Sequence, residues 1–226
     1  MTKYEVIILS GGKGTRVKKY TSKIPKCLIK VNGKPFLYHQ LKYLKKYKVK
    51  NILISSGYLG EKINLYVKNH INFLNVKVVN DGKKLLGTGG AVVNSLKYLK
   101  KNFFIIYGDS YLNFNLKKMV NKRKLAIMAI YKNKDQYDKS NIILKKTNKI
   151  LYIKNKKNKN LFYIDYGVSY INKKIFKGLK KNERFELSDF YEMISQKNKL
   201  SSFKVKKRFY EIGSYKGIKD IKNYLK

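Results

Sequence analysis

Few residue types in this chain could do chemistry. It carries only 13 carboxylates against 53 lysines and arginines. Metal binding or acid–base work must draw on those acids or on the two histidines, His39 and His70. The most suggestive run is Ser10-Gly11-Gly12-Lys13-Gly14-Thr15-Arg16, directly after a short apolar stretch. Glycines let a backbone approach an anion closely, and successive N–H groups form a cradle for phosphate. The run lacks the Gly-Lys-Ser/Thr ending of a P-loop. It also lacks the third glycine of a dinucleotide fingerprint, and no acid closes the second strand. Taken alone, it is equally what a tight strand exit looks like. Arg16 tips the balance by setting a guanidinium fork beside the cradle. Further on, Pro25 stiffens the backbone in front of Lys26, so that this ammonium is held.

These candidates need elements to position them. Residues 4–9 read as a buried strand ended by Ser10-Gly11-Gly12. A helix is predicted over 36–47, a strand over 51–55 stopped by Ser56-Gly57, a helix over 59–69 and a strand over 76–79. Then come a helix over 90–100, a strand over 103–107 ended by Gly108-Asp109, and a strand over 125–131. Alternation at this pace implies a parallel sheet covered on both faces. Beyond 131 the pattern shifts to shorter strands at 141–144, 150–154, 161–164 and 167–171, a helix at 187–197 and a strand at 200–205. The expected fold is α/β: one Rossmann-like domain over 1–226 with a mixed, mostly parallel sheet and helices on both faces. The Lys/Asn run 154–160 reads as a solvated hairpin tip. Glu183, Glu186, Asp189 and Glu192 form one acidic patch, in which Ser188-Asp189 suggests capping and dipole compensation at a helix start. His39 and His70 read as surface or half-buried helix residues.

Composition narrows the function classes. With 226 residues and 43% hydrophobic content the chain can bury a sizeable core. No apolar run approaches the roughly 18–20 residues of a membrane span. The stretch at 4–9 is too short for a signal peptide, so a cytoplasmic location is expected. The single cysteine, Cys27, excludes an internal disulfide framework or a Cys-rich zinc site, and nothing marks it as an activated thiolate. The net charge of +40 suggests nucleic acid at first sight. Yet only four of the basic residues are arginine, the residue that phosphate forks and base edges favour. The lysines are spread from end to end, and the accompanying excess of Asn, Ile and Tyr matches AT-rich codons. A genome bias explains the composition, and no dedicated nucleic-acid role is expected. The charge still creates a positive field that attracts polyanionic substrates.

The motifs taken together resemble those of the sugar-1-phosphate nucleotidyltransferases, or nucleotide-sugar pyrophosphorylases. The likeness rests on Gly11-Gly12-Lys13-Gly14-Thr15-Arg16, then Pro25-Lys26, then Lys34-Pro35-Phe36, followed in order by Gly57-Tyr58, Leu86-Gly87-Thr88-Gly89-Gly90-Ala91, Gly108-Asp109-Ser110 and Glu211-Ile212-Gly213-Ser214. It spans essentially the whole chain. It looks closest to the heptose- and mannose-1-phosphate guanylyltransferases. The resemblance implies a nucleotide-diphospho-sugar transferase fold and a reaction without a covalent enzyme intermediate. A phosphate oxygen of the acceptor attacks the α-phosphorus of a nucleoside triphosphate, and pyrophosphate leaves. Catalysis is then positioning and charge neutralisation.

The same resemblance implies residue roles. Gly11, Gly12, Lys13, Gly14, Thr15 and Arg16 would hold the triphosphate, and Arg16 and Lys26 would be catalytic. Asp81, Gly87 and Thr88 would complete nucleotide binding, the latter two through backbone groups at the base and ribose. Asp109 and Glu211 would bind Mg²⁺, Glu211 standing where the family usually has an aspartate. On the acceptor side two departures stand out. Tyr152-Ile153-Lys154-Asn155 lacks the family's sugar-binding glutamate, and Asp165-Tyr166-Gly167 replaces an Asn-x-Gly. Lys154, Asp165 and Gly167 are therefore candidate acceptor-binding residues. The partners expected are a nucleoside triphosphate and a phosphorylated small-molecule acceptor, with a surface glycan (capsule or lipopolysaccharide) as the destination of the product. The alternatives are a cytidylyltransferase acting on a non-hexose phosphate or phosphonate, and a basic RNA-binding or regulatory module.

Overall fold

The computed structural model describes residues 3–82, 85–154 and 161–226. In chain order the elements are β1 (Tyr4–Ser10), α1 (Lys18–Thr21), β2 (Lys30–Val31), β3 (Lys34–Pro35), α2 (Phe36–Lys46), β4 (Asn51–Ser56), α3 (Gly60–His70) and β5 (Asn75–Asn80). They continue with α4 (Gly87–Ser95), β6 (Leu99–Tyr107), β7 (Ser110–Tyr111), β8 (Ala126–Lys132), β9 (Ile142–Leu144), β10 (Ile150–Tyr152) and β11 (Tyr163–Asn172). The last are α5 (Leu187–Gln196), β12 (Leu200–Val205), β13 (Tyr210–Glu211) and α6 (Tyr215–Tyr224).

The domain is α/β, built on a mixed sheet in the order β10-β9-β11-β6-β1-β4-β5, with β8 paired to β11 and β12 paired to β8. β1 runs parallel to both β4 and β6, and β4 is parallel to β5. β11 joins antiparallel between β6 and β8. Alternate residues of β1 feed opposite faces, as the two-residue period of a strand requires. Val6 and Ile8 pack with Leu37, Leu41 and Ile63 of α2 and α3. Ile7 and Leu9 pack with Val92, Phe190 and Ile194 of α4 and α5. A third, smaller core joins α6 to the 17–36 segment through Val17, Ile29, Phe36, Ile218 and Ile221.

Several expected boundaries move. The helix placed at 90–100 spans 87–95, and a 3-10 turn at Leu96–Tyr98 hands over to β6, whose polar start at Leu99–Asn102 hid it as a strand. The strands expected at 161–164 and 167–171 are one, β11. Its register shifts between Asp165 and Ser169, around Gly167 at φ 91°, which reads in sequence as a break. β10 stops at Tyr152, short of the expected 154. Of the run 154–160, residues 155–160 lie outside the described residues. α6 and the two-residue strands had no counterpart in the sequence reading. His39 sits half-buried on α2, its Nε2 2.9 Å from the Val31 carbonyl, and His70 is exposed at the end of α3. Cys27 is buried, which pushes its thiol up to about 12.

Candidate active site

Strands β4 and β6 flank β1 on opposite sides, so the loops leaving their C-terminal ends part around a crevice. A cavity of about 280 Å³ lies there. Its lining includes Gly11, Gly12, Lys26, Asp81, Gly87 and Asp109, contributed by the loops after β1, β5 and β6 and by the start of α4. Backbone bonds tie these loops together. The Tyr58 N–H donates to the Gly11 carbonyl at 3.2 Å and the Gly108 N–H to the Leu9 carbonyl at 2.9 Å.

One end of the crevice gathers charge. Lys26 Nζ lies 3.0 Å from Asp109 Oδ2, both side chains less than a third exposed. β7 pairs antiparallel with β13, setting Glu211 opposite Ser110, and the Ile212 N–H donates to the Asp109 carbonyl at 3.0 Å. This brings Arg16 in as well. A Cβ built on Gly213 would stand 2.6 Å from Glu211 Oε2, 3.0 Å from Arg16 Nη2 and 3.5 Å from Asp109 Oδ2. The three charged groups therefore converge at a point only a glycine can share. Burial pushes the Glu211 carboxyl up, and the Asp109 charge adds to that rise; the Ser214 hydroxyl, the Gly213 N–H and Arg16 oppose it. Ser214 Oγ donates to Glu211 Oε1 at 2.5 Å and the Gly213 N–H to Oε2. Two carboxylates presented to one spot, with no third acid, histidine or cysteine grouped with them among the described residues, suit a hard cation that takes its other oxygens from substrate and water.

In the glycine loop, Gly14 adopts a left-handed backbone at φ 66°, and its carbonyl accepts from Val17 N–H and Thr21 Oγ. Lys13, Thr15 and Arg16 are exposed and none of them lines the cavity, although the Arg16 guanidinium reaches the charged end beside Gly213.

The other end of the crevice is built from two segments locked together. The Phe185 N–H donates to the Leu86 carbonyl, and the N–H groups of Gly89 and Gly90 both donate to the Phe185 carbonyl. A Cβ on Gly89 would overlap the Phe185 ring, and one on Gly90 the Glu183 carbonyl. The glycines of Gly-Thr-Gly-Gly are thus required by the 183–187 segment. Thr88 lines the cavity and also ties it to the 183–187 segment. Its N–H and hydroxyl donate to Glu186 Oε2 at 3.1 and 2.6 Å, and its Oγ accepts from the Leu187 N–H at 2.8 Å. Thr88 therefore caps α5 from outside, the work expected of Ser188-Asp189, while Glu186 occupies the N-cap position. Asp81 is half-buried, accepts from Ser55 Oγ at 3.1 Å and is pushed up by burial. Arg184 and Glu186 line this end, and the sequence reading missed both as site residues. The only signal for them was that two ionisable groups flank Phe185 just before a helix.

The acceptor candidates separate. Lys154 is exposed; its ammonium pairs with Asp189 and its N–H donates to Glu192 Oε1 at 3.1 Å, so it is not part of the cavity lining. Asp165 lies at the β11 bulge, where its Oδ1 accepts from the Gly167 N–H at 2.8 Å. Burial pushes its carboxyl up to about 7. Tyr107, which lines the cavity, senses the Asp165 charge, as do Tyr152 and Tyr191. A Cβ on Gly167 would come within 3.7 Å of the Tyr107 ring. Asp165 and Gly167 thus stand behind Tyr107, next to the crevice but outside its lining.

A parallel half-sheet whose C-terminal edge joins a glycine loop to a lysine–aspartate pair and a second carboxylate is an arrangement suited to phosphate groups. The chain belongs to the nucleotidyl transferase family, whose pattern matches residues 5–226. Among its relatives, a D-glycero-alpha-D-manno-heptose 1-phosphate guanylyltransferase of Campylobacter jejuni is 31% identical over 92% of this chain and 94% of its own length. The enzyme of the same description from Aneurinibacillus thermoaerophilus is 28% identical over 92% and 93%. The crystal structure of HddC from Yersinia pseudotuberculosis complexed with GMP-PN superposes with a TM-score of 0.83 at 26% identity, covering 99% of this chain and all of that one.

Proposed function

We propose that this enzyme transfers a guanylyl group from GTP to a heptose 1-phosphate or a close analogue, with Mg²⁺, in the cytoplasm, for a surface glycan. The observation that carries the reading is the convergence of Lys26, Asp109, Arg16 and Glu211 beside the Gly11-Gly12 loop. The guanine and the heptose are inferred from the relatives' activities.

In this mechanism the N–H groups of Gly11 and Gly12 and the Arg16 fork hold the triphosphate. Lys26, steered by Asp109, neutralises charge on the α-phosphate as the acceptor's phosphate oxygen forms its bond to phosphorus. The bond to the β-phosphate breaks, and pyrophosphate leaves with that electron pair. Asp109 and Glu211 would hold Mg²⁺, which supplies charge neutralisation on the phosphate oxygens. No side-chain nucleophile is needed, consistent with the buried, hard-to-ionise thiol of Cys27. On the acceptor side Asp165 and Gly167 would act from behind Tyr107, while Lys154 is held away by its pairing with Asp189.

The test is pyrophosphate release across the five common nucleoside triphosphates, with heptose, mannose and glucose 1-phosphates and amine-bearing phosphates as acceptors, with Mg²⁺ and with chelator. GTP with a heptose phosphate is expected to give the highest specificity constant. A preference for CTP, or turnover undiminished by chelation, would overturn the respective part.

A further inference from the structure

Besides Asp109, the cavity lining holds two of the chain's 13 carboxylates, Asp81 beside Gly11 and Glu186 beside Gly87, in a protein of net charge +40. They are held alike. Asp81 gives Oδ1 to the Ser55 hydroxyl, and its Oδ2 lies 3.6 Å from where a Cβ on Gly11 would stand. Glu186 gives Oε2 to Thr88, and its Oε1 lies 2.8 Å from where a Cβ on Gly87 would stand. In each case one oxygen is anchored and the other accepts no hydrogen bond from the described residues. The cavity thus carries two anchored carboxylates, each with an oxygen that can accept.

Such a pair selects among bases. Guanine alone carries a ring N1–H and an exocyclic amine side by side. Adenine and cytosine set a ring acceptor next to their amine, and uracil and thymine flank their one N–H with carbonyl oxygens, each of which a carboxylate repels. We infer that Glu186 is a base-specifying residue whose Oε1 accepts from the 2-amino group of guanine, opposite Asp81, which takes the ring N1–H. Glu186 stands at the exposed rim and Asp81 is half-buried. The amine has a second hydrogen that water can satisfy at the rim, whereas the ring N–H has one and needs the inner partner. Arg184, exposed on the same rim, offers a guanidinium plane for stacking. This rests on the guanylyl reading above, and it assigns to the 183–187 segment a selective role besides holding the glycines.

Inosine triphosphate tests it, because it is GTP without the 2-amino group. Binding of GTP and ITP to the full chain is measured by calorimetry, with no acceptor present. The wild type is expected to bind GTP at least tenfold tighter than ITP. Glu186→Gln, which can still accept from Thr88, is expected to weaken GTP about tenfold and leave ITP within threefold. ITP binding thereby reports that the variant is folded. Equal wild-type affinity for the two nucleotides, or a parallel loss of both in the variant, would overturn the inference and reduce Glu186 to a clamp on Thr88. Separate turnover assays with sugar 1-phosphates judge the reaction itself, so absent turnover alongside intact GTP-over-ITP discrimination would count against the reaction and not against Glu186.

Discussion

Lys26 and Asp109 neutralise one another at 3.0 Å across the mouth of the crevice, and neither has a second ion-pair partner among the described residues. Removing either leaves the other uncompensated beside bound phosphates. Asp109→Asn is expected to keep the fold and lower kcat by about 100-fold, or about 2.7 kcal/mol of transition-state stabilisation. Lys26→Ala should lower kcat more than it raises KM. The double variant should lose far less than the product of the two, because residues in contact do not act independently. Steady-state kinetics on the three variants decides this, and independent effects would mean the pair does not act as a unit. Asp165 carries a different signature. Its raised carboxyl keeps its proton up to about pH 7 in the folded chain, whereas the unfolded chain releases it near 4. The wild type therefore loses stability as pH rises from about 4 to about 7, and the loss is constant above that. Asp165→Asn cannot ionise, and its amide oxygen can still accept from the Gly167 N–H. The melting temperature of this variant relative to wild type should climb through that window and then level off. A difference that stays flat with pH would show that Asp165 ionises normally.

At the scale of elements, glycines that look alike in sequence do opposite work. Gly12 has open space where a Cβ would go, whereas Gly89 is pressed against the Phe185 ring. Gly12→Ala is expected to leave the urea midpoint unchanged and weaken nucleotide binding, since the residue lines the cavity. Gly89→Ala should lower stability by about 1–3 kcal/mol, the usual range for overpacking a filled site. Identical midpoints for the two variants would refute the distinction. This contrast also marks what could be read in advance. The strands at 4–9 and 51–55 were legible because short runs rich in isoleucine and other apolar residues, ended by polar or glycine residues, have few other uses. Arg16, Asp109 and Glu211 were singled out by the resemblance to a family, which implied phosphate and metal roles for them; that they meet beside Gly213 is read from the structure. The Thr88–Glu186 bonds did not, because they join residues 98 positions apart and a local pattern carries no trace of such pairing. α6 was missed although Ser214 caps it by accepting from the Gly217 N–H, because lysines fill its exposed face and only Ile218 and Ile221 mark the buried one.

For the whole molecule, the net charge of +40 is a long-range force that no single contact represents. A triphosphate approaching the crevice meets this field before it meets Lys26 or Arg16. Raising salt from roughly 0.05 to 0.5 M shrinks the Debye length severalfold. KM for the nucleotide should therefore rise steeply over that range while kcat changes little, as measured by initial rates at fixed pH. A flat KM would mean that recognition is confined to the short-range contacts of the crevice.

The pairing of β7 with β13 sets residue 110 against residue 211. In a chain made from its N-terminus, the glycine loop, Lys26 and Asp109 have all left the ribosome long before Glu211 is translated. The parallel strands β1, β4, β5 and β6 can align with one another in the meantime, since their mutual pairings lie upstream of residue 108. The carboxylate pair closes only when β13 docks against β7 and α6 packs behind it. A stop or a nick just before residue 210 would leave the central sheet with all its strands and the charge cluster without Glu211, so the order of synthesis withholds the site until that short strand is made.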